Sequence, residues 1–163
     1  MHAADGDSRG KVLEPEAFAQ ALAHDARLIG IDLGTKTLGL ALSDVTRTIA
    51  SGLMTLPRTR FAVDAVRLLA LAAEHGVGGF VIGMPFNLDG SQGRRVQATR
   101  AYVHNLARLT PLPILLWDER LTTAAAERSL IEADASRRRR SQVIDKVAAT
   151  LILQGALDRM KRF

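Results

Sequence analysis

From residue 27 onward the apolar positions fall first at every second residue and later at every third or fourth, dividing the chain into two kinds of element. Runs of strand type cover 27–33, 38–43 and 49–56, the last closed by Pro57. Gly34, Thr35 and Lys36 join the first two as a hairpin, and the three runs together predict an antiparallel meander. Helical spacing takes over at 61–75, where Val63, Val66, Leu69, Ala70 and Ala73 recur in step and Gly76 supplies a stop. A buried strand at 78–83, a loop at 84–93, a helix at 94–109, an apolar strand at 113–117 and a helix at 122–133 follow. The last helix is expected from Ser141, a favourable N-cap, to Met160, with Val143, Val147, Leu151 and Ile152 on its packed side. Strands alternating with helices imply parallel neighbours, so the fold class is α/β with a mixed sheet. Residues 1–26 form an extension, disordered over the first dozen residues and helical over 15–26, and 27–163 form the main domain.

The 163 residues fit one domain with a real core. No cysteine is present, which excludes disulfide frameworks, thiolate zinc sites and a cysteine nucleophile. The apolar runs are too short to span a bilayer, and the start lacks the layout of a signal peptide. A cytoplasmic protein without membrane contact is therefore expected. The formal charge of +5 is unevenly spread: Arg137 to Arg140 stand together, and Arg94, Arg95 and Arg100 follow a Gly-rich loop. Such clusters suit a polyanion, and with few aromatics available, phosphate contacts should outweigh base stacking.

Three acidic positions change this picture. Asp32 interrupts the apolar run LIGIDLGT, where an ionised carboxylate costs several kcal/mol unless it is paired or bound to metal. Asp118 and Glu119 directly follow the strand ILLW, at the strand end where α/β sheets place their sites. Neighbouring strand residues face opposite ways, so only one of the two can join Asp32; we take Glu119, although alternation does not select it. Asp145 lies early in the last helix, in line with Ala148, Ala149, Ile152 and Ala156. A central sheet could gather the three. Hard oxygen donors in a chain without cysteine point to Mg²⁺ or Mn²⁺. Two such ions about 4 Å apart would serve hydrolysis of a phosphodiester. The loop 85–93, with Asn87, Gly90, Ser91 and Gly93 ahead of Arg94 and Arg95, suits a phosphate, with Asp89 alternatively capping the next helix. Lys36, in the turn after Asp32, could contact phosphate as well.

Four ordered segments carry a resemblance: GIDLGTKTLGLALSD (30–44), VIGMPFNLDGSQG (81–93), DERLTT (118–123) and RRRRSQVIDKVAATLILQ (137–154). Over 27–157 the chain resembles the YqgF/RuvX family of RNase H-like proteins. The resemblance implies a five-stranded sheet of order 3-2-1-4-5 with helices on both faces. It puts the catalytic and metal-binding carboxylates at Asp32, Glu119 and Asp145. Nucleic-acid contacts are expected through Lys36, Asn87, Ser91, Arg94, Arg95, Arg120, Arg139 and Arg140. Phe86 and Gln92 depart from the usual family residues, and neither is an expected ligand.

The expected function is a Mg²⁺- or Mn²⁺-dependent nuclease acting on the 5′ end of precursor 16S rRNA. The alternatives are a Holliday junction resolvase and a non-catalytic nucleic-acid-binding accessory factor of transcription. GIDLGT also resembles the first phosphate motif of actin- and Hsp70-type ATPases, but those need a duplicated domain that this chain is too short to supply. A monomer or weak homodimer is expected; junction resolution would need two sites in a symmetric dimer.

Overall fold

A computed structural model describes residues 10–87, 89–121 and 137–163, with side chains in the last segment from Lys146 onward. Five strands form one sheet: β1 (Arg27–Leu33), β2 (Thr37–Ser43), β3 (Ala50–Pro57), β4 (Val77–Met84) and β5 (Ile114–Asp118), in the order β3-β2-β1-β4-β5. The first three pair antiparallel, and β1, β4 and β5 run parallel. The expected RNase H-like order is therefore observed. β1 and β4 are buried along nearly their whole length, as central strands covered on both faces must be.

Helices α2 (Phe61–Glu74) and α3 (Arg94–Ala107) cover one face, and α1 (Pro15–Ala21) and α4 (Arg137–Met160) the other. Alternation along β1 feeds both layers. Ile29, Ile31 and Leu33 pack with Leu68, Val103 and Leu106, whereas Leu28 belongs to the layer of Phe18, Ile152 and Leu157. Tyr102 sits in the first layer, edge to face with Phe61 at 5.2 Å, and Trp117 in the second. No helix among the described residues is long and apolar enough to cross a membrane.

Several expectations are corrected. The first helix stops at Ala21 rather than reaching residue 26, and Asp25 then takes a positive φ of 59°. Of the dozen residues expected to be disordered, 1–9 lie outside the described residues, whereas Val12 bridges Ile114 in parallel with Leu13 N–H donating to the Ile114 carbonyl. On α2 the packed residues are Asp64, Ala65, Leu68 and Ala72, and Val63 and Val66 are exposed at 51% and 69%. Asp64 is tolerated inside because Thr59 N–H and Oγ–H donate to its two carboxylate oxygens at 2.8 and 2.7 Å. The last helix begins at Arg137, not Ser141, since arginine is a good helix former. It packs through Ala148, Ala149, Ile152, Leu153, Ala156 and Leu157, with Val147 and Leu151 only half-buried. The expected helix at 122–133 and the side chain of Val143 lie outside the described residues.

The β2–β3 turn is held by one carboxylate. Asp44 accepts hydrogen bonds from Ile49 N–H at 3.0 Å, from the Thr46 hydroxyl and from Thr48 N–H at 2.8 Å. These donors, the Ile49 amide first, hold its carboxyl well below the usual carboxylate range. The folded value lies below the unfolded one, so the contribution is present above the unfolded pKa of about 4 and fades as pH falls through the folded value. Asp44→Asn should lower Tm at neutral pH, with the gap to the unsubstituted protein narrowing progressively in thermal melts taken below about pH 4.

Candidate active site

Asp32 is the last but one residue of β1, 2% exposed and paired with Gly39. Two residues earlier, Gly30 faces the Leu153 side chain and the Ala149 carbonyl of α4, so alternation turns Asp32 to the α4 face. The turn that follows is fixed by its backbone: Gly34 N–H donates to the Thr37 carbonyl at 2.9 Å. Two arginines also hold it. Arg58 donates from Nη1 to the Gly34 carbonyl at 2.8 Å and from its N–H to the Lys36 carbonyl at 2.8 Å. Arg95 Nη2 reaches the Leu33 carbonyl at 3.5 Å. Lys36, Arg58 and Arg95 thus gather at the end of β1 where Asp32 lies. Arg58 was missed in the sequence; its only signal is its place directly after Pro57 at a strand end.

Asp118 closes β5 and Glu119 opens the turn after it, and the two side chains take different surroundings. Asp118 turns to Arg120, whose Nη2 lies 2.6 Å from Oδ2 and whose Nε lies 3.0 Å from Oδ1. The Arg120 guanidinium holds the Asp118 carboxyl below its ordinary range. Glu119 opens a 3-10 turn, Glu119–Leu121, and is buried at 8% exposure. Its chain crosses Gly83 of β4, where an added Cβ would come within 2.5 Å of Ile152 Cδ1 and 3.1 Å of Glu119 Cγ. Ile31 pairs with Ile82, so Asp32 and Gly83 occupy the next row of neighbouring strands. Strands lie about 4.8 Å apart. The structure therefore brings Asp32 and Glu119 together on one buried face.

The third expected carboxylate is placed only through its backbone. Phe18 and Leu22 lie on Gly79 at the start of β4, and Leu22 lines a pocket with Leu157 and Met160. Ile152 lies on Gly83 near the end of β4. Lower residue numbers on α4 thus lie nearer the carboxyl ends of β1 and β4. Asp145 is one turn before Ala149, in the stripe of Ala148 and Ile152. Its side chain, like those of Arg139 and Arg140, lies outside the described residues. Among the described residues no three acidic or histidine side chains form a metal-binding group.

The loop before α3 is closed by its own hydrogen bonds. Asn87 N–H donates to the Ser91 carbonyl at 3.1 Å, Asn87 Nδ2 to Ser91 Oγ at 2.8 Å, and Gly90 N–H to the Asn87 carbonyl at 2.8 Å. Asp89 accepts from Ser91 N–H at 2.8 Å, and Ser91 holds its carboxyl below the ordinary range. Asp89 therefore turns the loop and does not cap α3, whose N-cap is Gly93 without a side-chain bond. Arg94 and Arg95 are exposed in the first turn of α3, where the helix dipole already favours an anion.

A family model described as RuvX, Holliday junction resolvase, matches residues 26–159. A relative from Cereibacter sphaeroides named as a candidate pre-16S rRNA nuclease is 58% identical over 145 residues, covering 89% of this chain and 91% of its own. A second, from Rhodopseudomonas palustris and of the same name, is 60% identical over 145 residues, covering 89% and 90%. Among solved structures, RuvC of T. thermophilus in complex with a Holliday junction substrate aligns with a TM-score of 0.51. The alignment covers 83% of this chain and 96% of RuvC at 16% identity, and shows a shared fold.

Gly83 is the residue that leaves space for Glu119 beneath α4. Gly83→Ala should overpack this point and cost about 1–3 kcal/mol, measured as a lower urea midpoint with unchanged slope. An unchanged midpoint would show that Ile152 and Glu119 can give way.

Proposed function

The chain belongs to the RuvX family, and from that membership we propose that it is a metal-dependent nuclease that processes the 5′ end of precursor 16S rRNA. The observation that carries the reading is the shared face of Asp32 and Glu119, two buried carboxylates on either side of β4, one on β1 and the other just past the end of β5. Two such charges repel, and a divalent cation between them removes the repulsion while accepting the hard oxygen donors they offer. Asp32, Glu119 and Asp145 would hold Mg²⁺ or Mn²⁺. Such ions, when bound, supply an activated water and neutralise the leaving oxygen in phosphodiester hydrolysis.

The rest is done by side chains. Lys36, Arg94 and Arg95 grip backbone phosphates beside the carboxylates, and Arg139 and Arg140 add two further charges for the same polyanion. Because Arg95 leans on a neutral carbonyl, its positive charge is not cancelled there. Arg58 keeps the turn after Asp32 in place while adding its own charge to that end of the sheet. Asn87 and Ser91 present the loop to the strand being cut. Precursor rRNA is taken as the substrate because relatives 53% to 60% identical carry that name, and the family model's description keeps a Holliday junction as the second reading.

The test is cleavage of labelled precursor 16S rRNA 5′ regions, single-stranded DNA and a four-way junction, with Mg²⁺, Mn²⁺ or EDTA. RNA cleavage should require the metal. Asp32→Asn, Glu119→Gln and Asp145→Asn should each reduce it by more than about 100-fold, beyond the usual cost of disturbing an outer-sphere partner. Junction-selective cutting would replace the substrate, and metal-independent cleavage indifferent to all three substitutions would overturn the reading.

A further inference from the structure

Arg120 stands next to Glu119 and would ordinarily be counted among the cations that meet phosphate. Its surroundings assign it differently. The guanidinium makes a two-point contact with Asp118, through Nε to Oδ1 at 3.0 Å and Nη2 to Oδ2 at 2.6 Å, and the Arg120 N–H donates to the same Oδ1 at 3.0 Å. Its charge therefore already has a carboxylate partner. The same guanidinium lies over the Phe86 ring, with Cζ 5.4 Å from the centroid. Asp89, across the loop, attracts it as well. Gly90 completes the enclosure: its φ of 85° suits glycine, and an added Cβ would sit 3.2 Å from Arg120 Nη1.

These contacts join two segments that the sequence separates by about thirty positions. One is the loop at 85–93 and the other is the turn carrying Glu119. We propose that Arg120 is a positioning residue, a latch that holds the loop through Phe86 and, by holding Asp118 outward, keeps Glu119 turned inward over Gly83. The geometry gives the mechanism. Asp118 ends β5 and Glu119 opens the 3-10 turn, so the three bonds from Arg120 to Asp118 fix the start of the turn that carries Glu119 over Gly83. The planar fork of arginine is needed, because an ammonium group cannot make the two-point contact and stack on the ring at once.

The inference rests on the nuclease reading for its kinetic part only. Asp118→Asn, Arg120→Gln, Arg120→Lys and the double substitution Asp118→Asn/Arg120→Gln would be compared with the unsubstituted protein in two measurements. The first is amide hydrogen exchange over 85–93, which needs no activity. Both single substitutions should speed exchange of that segment alike, and the double should be no faster than either. The second is Mn²⁺-supported cleavage, together with RNA binding in EDTA. A latch predicts that kcat falls by about 10- to 100-fold in each single variant, with no further loss in the double, RNA affinity shifted in the same direction in both single variants and no rescue by lysine.

A phosphate contact predicts opposite signs: Arg120→Gln weakens RNA binding, whereas Asp118→Asn releases the cation and tightens it. That pattern, or unchanged exchange over the loop, would overturn the latch. Faster exchange in both single variants of a protein that cleaves nothing would leave the latch standing and overturn the nuclease reading instead.

Discussion

Two buried carboxylates share the face of the sheet on which α4 lies, and they find room there because the sheet presents glycines to the helix. At Gly30 the backbone of α4 itself comes close, through the Ala149 carbonyl and Leu153, whereas at Gly83 the Ile152 side chain fills the space. A larger residue at Gly30 would press on the backbone of α4, and one at Gly83 on the side chains of Ile152 and Glu119. Close packing of this kind is stiff, because interiors at crystal-like density have little slack to absorb a shift. The acidic site is thus held by apolar contact beside it, and its geometry is inherited from the core.

Much of this was legible in the sequence because the decisive features are local. Asp32 in a β-period run, a strand that ends in two acids, and a helix with alanines below an acid each announce themselves through spacing. The packed side of α2 was not legible in the same way. That helix has apolar residues around most of its circumference, and the stripe containing Val63 and Val66 looks better than one containing Asp64. What reverses the choice is Thr59, whose amide and hydroxyl satisfy the Asp64 carboxylate from outside the helix. Partners of that sort have no periodicity. The choice between Asp118 and Glu119 was hidden for a related reason, since it is settled by a guanidinium two residues along that alternation does not count.

Four arginines among the described residues donate to backbone carbonyls. Arg27 donates to the His75 carbonyl, Arg47 to those of Ala23 and Ala26, Arg58 to Gly34, and Arg95 approaches Leu33. A carbonyl is neutral, so each of these contacts fixes the side chain without cancelling its charge. The arginines can therefore staple loops and still contribute to an attractive field for a polyanion. Arg120 differs in being paired with a carboxylate.

The chain contains one tryptophan and one tyrosine, and the fold puts them on opposite sides of the sheet. Trp117 lies in the layer of α1 and α4, beneath the acidic face, whereas Tyr102 lies in the layer of α2 and α3. Burial and the nearby Asp64 carboxylate push the Tyr102 phenol up to about 12. Each layer thus carries its own intrinsic chromophore. Selective excitation of the indole follows the loosening of one half of the core, and the absorbance of the phenol follows the other, with no label added to either.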